Sequence, residues 1–144
     1  MALEVSKSRP VILFDGVCGL CNAFNRFVLR HDTTDCFRFA PLQGGFARAA
    51  LLRHGIDALD LETVYVLTAP GTDSEAVIAR AKAVAFVLKQ MPGTVRLGRL
   101  LSALPQPLAD ITYSFVASHR YRLFGKLPTC ALLTPEQRTK FLDN

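Results

Sequence analysis

The chain lacks any apolar run long enough to cross a membrane. A spanning helix needs roughly 18 uncharged apolar residues or more. The longest apolar segments are broken by Lys82 and Lys89 in one case and by Arg96 and Arg99 in another, so membrane insertion is not expected. Nor does the N terminus read as a secretion leader. Glu4, Lys7 and Arg9 precede the first apolar run, and that run, Val11 to Phe14, stops at Asp15. The expected compartment is therefore the reducing cytoplasm. Cysteine is also sparse, at four in 144 residues. That is too few for a disulfide-stapled scaffold, and in a reducing compartment a close pair reads as catalytic or metal-binding rather than structural. Acidic residues thin out along the chain: from residue 76 onward ten Lys and Arg face three Asp and Glu, against seven and nine up to residue 75. The basic half reads as a solvated face, or more sharply as a docking face for an acidic partner. No nucleic-acid motif accompanies it, so nucleic acid is not an expected partner.

What is present is globular. Half the residues are hydrophobic and a fifth are charged, a folding composition. The length suits one domain, 1–144, able to bury a core without staples. Val11-Ile-Leu-Phe14 is rich in strand formers and continuous, which predicts a central strand buried on both faces. Asp15-Gly16 supplies turn chemistry. From Cys18 to Arg30 the period turns helical, with Leu20, Phe24, Phe27 and Val28 on one face and Arg30 and His31 at the end where positive charge suits a helix.

Cys36 to Ala40 alternates as a second strand ended by Pro41. Phe46 to Leu52 is a short helix closed near Gly55, and Glu62 to Ala69 a third strand. The turn Pro70-Gly71-Thr72-Asp73 leads into a fourth strand, Glu75 to Ala79. Ala81, Val84, Ala85, Leu88 and Met91 mark a helix that Pro92-Gly93 ends. A short helix holding Leu97, Leu100 and Leu101 follows. A longer one starts at Pro105 and Pro107 and runs through Ile111 and Phe115 toward Tyr121, and Pro135 to Leu142 reads as a last short helix. The expected fold is α/β: a mixed sheet of four strands with flanking helices over residues 10–91, and an added helical segment over 92–144.

The chemistry is concentrated in Asp15-Gly16-Val17-Cys18-Gly19-Leu20-Cys21. Two cysteines three apart on the first turn of a helix can close a disulfide or stand as a dithiol. Cys18 falls where a strand hands over to a helix, and there free N–H groups and the positive dipole end stabilise an anion. A thiolate is an anion, so the Cys18 pKa is expected below the free value of about 8.5. Cys21, one turn further in, is placed to attack a mixed disulfide formed at Cys18. Asp15 suits two roles, a proton acceptor for Cys21 or a turn former ahead of the helix. The pair could instead be half of a zinc site, with Cys36, Cys130, His31, His54 and His119 available as further ligands, but none of these forms a second close pair. Cys36 reads as a small core residue. Cys130 is either inert or able to approach the pair. His119, Arg120, Tyr121, Arg122 and Lys126 form a basic, aromatic cluster suited to closing a helix end.

These residues resemble the DCC family of thiol–disulfide oxidoreductases, named for an aspartate followed by two cysteines. The likeness runs from Ile12-Leu-Phe-Asp-Gly-Val-Cys-Gly-Leu-Cys-Asn22 through Phe37-Arg-Phe-Ala-Pro-Leu-Gln43 to Arg120-Tyr-Arg-Leu-Phe-Gly125, Cys130 and Thr134-Pro135. The resemblance implies a thioredoxin-like fold, with Asp15, Cys18 and Cys21 as signature residues. Two departures stand out. Ala81 follows Arg80 where the family often has serine, and Glu62-Thr63 stands where thioredoxins place a cis-proline. The reading is a monomeric protein-disulfide reductase that uses no metal or organic cofactor. It would act on a disulfide-containing protein or a small-thiol substrate and draw on an electron-donor reductant. The alternative is a metal-binding or redox-sensing docking domain built on the same cysteines.

Overall fold

The computed structural model describes residues 9–15, 19–33, 35–56, 64–124 and Lys140. Its first element, β1 (Val11–Phe14), is buried along its whole length. The strand is sandwiched, and its alternating side chains show how. Ile12 and Phe14 join one core cluster; Val11 and Leu13 join another on the opposite face. Successive strand side chains point to opposite faces, so a four-residue apolar run supplies both sides of the sheet. Each such fully buried aliphatic or aromatic side chain stabilises the fold by about 1.5–3 kcal/mol.

The remaining elements are α1 (Gly19–His31), β2 (Arg38–Pro41), α2 (Gly45–Arg53), β3 (Tyr65–Thr68), β4 (Ala76–Ala79), α3 (Arg80–Gln90), a 3-10 turn at Pro92–Thr94, α4 (Val95–Ala103) and α5 (Gln106–Phe124). The strands lie in the order β2-β1-β3-β4. β1 runs parallel to β2 and antiparallel to β3, and β3 is antiparallel to β4. This is a thioredoxin-like mixed sheet. Val28 from α1 and Ala83, Val87 and Leu88 from α3 cover the Ile12 and Phe14 face. Ala47, Ala50 and Leu51 from α2 cover the other.

Local chemistry sets the element ends. Gly55, at φ 71°, closes α2: its N–H donates to Leu52 O, and Ile56 N–H reaches back to Leu51 O. That double bond pattern is a Schellman ending, which favours glycine because the left-handed conformation crowds a Cβ. β2 starts later than the alternation predicts. The N–H groups of Cys36 and Phe37 are both taken by the Asp32 carboxylate at 2.9 Å, so ladder pairing begins at Arg38. β3 covers only the later part of the predicted 62–69 span. Glu62 and Thr63 lie outside the described residues, and Ala69 turns out of the strand at φ 47°.

Beyond α3, the Thr94 hydroxyl donates to Leu88 O at 2.7 Å and holds the chain reversal. α4 then packs along α3 so closely that a Cβ on Gly98 would lie 2.7 Å from Lys89 N and 3.0 Å from Ala85 O. α5 packs on α1 and α3, and its Tyr113 hydroxyl accepts the Val64 N–H at 2.7 Å. The predicted tail helix at 135–142 lies outside the described residues except Lys140. The Lys140 carbonyl accepts Phe39 N–H at 2.9 Å. This covers part of the outer edge of β2, where an open edge would invite pairing with other chains. Among the described residues no helix is long and apolar enough to cross a membrane.

Candidate active site

The site is built at the C-terminal end of β1. Asp15 follows the strand directly and is 1% exposed. The Leu42 N–H donates to Phe14 O at 2.7 Å, carrying the parallel β1–β2 ladder one step past the strands. Gln43 is the next residue, and this register brings its side chain to Asp15. Gln43 Nε2 donates to Asp15 Oδ1 at 2.7 Å. A buried carboxyl group needs such a donor, since an unpaired one costs heavily in a dry setting.

α1 begins at Gly19, four residues past Asp15. Cys21 therefore lies in its first turn, at the positive end of the dipole. It is half-buried and packs against the Ile12 and Phe14 cluster. The first turn carries no acidic residue, and Arg30 and His31 close the last turn. Cys18, with Gly16 and Val17, lies outside the described residues, as does Cys130. Of the predicted trio, the structure thus places Asp15 and Cys21, and puts both at one end of the sheet.

The other candidate residues stand elsewhere. Cys36 precedes β2, and β2 is parallel to β1, so Cys36 lies at the opposite end of the sheet from Asp15. A four-residue strand spans about 13 Å. Cys36 is half-buried against the core, and burial, followed by the nearby Asp32 charge, pushes its thiol pKa above the usual value. A thiol held in its protonated form is a poor nucleophile. His31 sits at the far end of α1, about 15 Å along the helix from Cys21, with its ring stacked on Phe27 and Nδ1 2.8 Å from Phe27 O. His54 lies 2.8 Å from Glu75, beyond the α2 end of the fold. Among the described residues no group of three or more His, Cys, Asp or Glu side chains is gathered as metal ligands. In the late basic cluster, His119 stacks on Phe115 and its Nδ1 lies 2.8 Å from Phe115 O, while Arg122 is exposed.

Several features near the site were not legible in the motif itself. Gln43 is one; its only trace was the Leu42-Gln43 end of the second family-like string. Asn22 and Asn25 are two more, both on α1 and both buried. Among the described residues the Asn25 amide has no hydrogen-bond partner on either atom. Arg80 joins β4 to α3 in a left-handed conformation, φ 60°, with its N–H on Val64 O. The buried Ala81 beside it offers no hydroxyl where the resemblance leads one to look for serine.

Comparison with known proteins agrees with this arrangement. Residues 12–126 match the family model described as DCC1-like thiol-disulfide oxidoreductase. A Bacillus subtilis (strain 168) protein, named uncharacterized protein YuxK, is 34% identical over 132 residues, covering 92% of this chain and 93% of its own length. The Arabidopsis thaliana DCC family protein At1g52590, chloroplastic, is 35% identical over 125 residues, covering 86% of this chain and 70% of its own. No solved structure matches. A match that begins inside β1, takes in the whole sheet and continues past the end of α5 means that the chain belongs to the DCC1-like thiol-disulfide oxidoreductase family.

Proposed function

We propose that the protein is a thiol–disulfide oxidoreductase of the protein-disulfide reductase type, with Cys18 as nucleophile and Cys21 as resolving thiol. The observation that carries this reading is the position of Cys21 in the first turn of α1, immediately after the central strand. A CxxC pair at a helix start has its leading thiol where backbone N–H groups and the dipole favour a thiolate. In the reaction, the Cys18 thiolate attacks one sulfur of a substrate disulfide. A Cys18–substrate S–S bond forms as the substrate S–S bond breaks, and the other substrate sulfur leaves as a thiolate that takes a proton. The Cys21 thiol then loses its proton and attacks Cys18 sulfur. The second substrate thiol is released and a Cys18–Cys21 disulfide remains, so two electrons have passed to the substrate. A dithiol reductant returns the pair to its starting state.

Asp15 is suited to this cycle in two ways. Its carboxyl group, buried and held by Gln43, suits a proton acceptor for Cys21 during resolution, and its place directly after β1 suits a turn former ahead of α1. Asp15→Asn separates the two: loss of a proton acceptor changes the pH profile of turnover, whereas loss of a turn former lowers stability at every pH. The proposal as a whole is tested by insulin-reduction turbidity with dithiothreitol. Precipitation faster than with dithiothreitol alone, abolished in Cys18→Ser, is the expected result. Wild-type activity no greater than that of Cys18→Ser would sink it.

A further inference from the structure

We infer that the face formed by α4 and the first half of α5 is a docking surface for an anionic lipid bilayer, adsorbing at headgroup level without insertion. Six large apolar side chains are exposed there: Leu97, Leu100, Leu104, Leu108, Ile111 and Phe115, from 36% to 68%. Leu97 and Leu100 lie three apart on α4, and Leu108, Ile111 and Phe115 recur at steps of three and four as a stripe on α5; Leu104 sits in the extended turn that joins the two helices. Each of these side chains exposes more than a third of its surface, and such a run of large apolar side chains in one segment differs from the singly scattered apolar residues of an ordinary surface.

The charge around the stripe selects the occupant. Arg96 and Arg99 are exposed beside Leu97 and Leu100 on α4. Lys82 and Lys89 are exposed on α3 and line the groove that Leu104 shares between α3, α4 and α5. From Arg80 to Phe124 the sequence holds seven Lys and Arg and a single acidic residue, Asp110, which is hydrogen-bonded to Gln106. Leucines flanked by arginines on a short surface helix are what anionic headgroups over an acyl boundary accommodate. A second copy is disfavoured by the same charges. A two-fold interface on this face would set each Arg96 and Arg99 near the other copy's, with little acid to neutralise them.

The test is co-sedimentation of the full chain with vesicles of phosphatidylcholine alone and of phosphatidylcholine with about a third phosphatidylglycerol. Two double variants accompany it, Leu97→Ser with Leu100→Ser and Arg96→Gln with Arg99→Gln, each checked for folding by circular dichroism. These side chains are exposed, so the fold is retained. Binding to the anionic vesicles is expected to exceed binding to neutral ones by about tenfold or more, to fall as salt rises, and to weaken about tenfold in each double variant. Absence of binding to anionic vesicles, equal binding to neutral ones, or a wild-type dimer that Leu97→Ser with Leu100→Ser turns into monomers would each overturn the inference.

Discussion

Acid titration of Glu75 offers a quantitative test of how the β3–β4 turn is fixed to α2. Glu75 accepts hydrogen bonds from Arg53 at 3.1 and 3.3 Å and from Gly71 N–H at 2.8 Å, and lies 2.8 Å from His54 Nε2. Its side chain is only 10% exposed. The Arg53 guanidinium is the largest influence, ahead of the opposing effect of burial, and the carboxyl pKa is lowered from 4.5 to about 2. A carboxylate with a depressed folded pKa contributes stability that is fully present above its unfolded pKa and is lost as pH falls through the folded value. At about 1.36 kcal/mol per unit the ceiling is about 3 kcal/mol. The Arg53 side chain is 53% exposed, and solvent screening lowers the expected contribution to about 1–2 kcal/mol. Glu75→Gln keeps the shape and removes the charge. Urea unfolding of both proteins should show the wild type more stable by that amount at pH 7, with the gap narrowing below about pH 4.5 and gone near pH 2. A gap that is absent at pH 7, or that stays constant down to pH 2, would refute the reasoning.

Two substitutions probe packing with opposite signs. Gly98→Ala forces a methyl group against Lys89 N at 2.7 Å, a backbone atom that cannot swing away. It should lower stability by about 1–3 kcal/mol through overpacking of α3 on α4, and an unchanged urea midpoint would count against that close approach. Asn25→Leu replaces a buried amide that has no partner among the described residues on either polar atom with an apolar group of similar volume. It should stabilise by about 1 kcal/mol or more; a fall in thermal midpoint would mean that the amide is held by an interaction in the folded protein.

The parts of the fold that depend on local chemistry were legible in the sequence. Val11 to Phe14 read as a strand buried on both faces, as the structure has it. Gly55 and Pro92-Gly93 ended helices where a left-handed residue or a missing N–H requires it, and the Pro70-to-Asp73 turn implied the β3–β4 hairpin. The order of elements followed from those pieces, and the resemblance to the DCC family implied that this order is thioredoxin-like. Contacts that depend on distant docking were not legible. Nothing local to Asp15 announces Gln43, 28 residues away, because the pair meets only after β1 and β2 align in register. The same holds for Tyr113 on Val64 N–H and for Lys140 on the β2 edge. The late start of β2 has the same origin. An aspartate four and five residues upstream competes for N–H groups that alternation alone assigned to the strand. At the site, the CxxC spacing and the strand-to-helix context were readable, while the burial of Asp15 required the folded sheet.

The central claim is that Cys18 attacks and Cys21 resolves, and trapping separates those roles most directly. In a Cys21→Ser variant the mixed disulfide cannot be resolved. After incubation with a protein or peptide disulfide, intact-mass analysis and peptide mapping should find one covalent adduct, carried on Cys18, and Cys18→Ser with Cys21→Ser should form none. An adduct carried instead on Cys36 or Cys130, or no adduct at all under conditions where the substrate disulfide is otherwise reducible, would contradict the account.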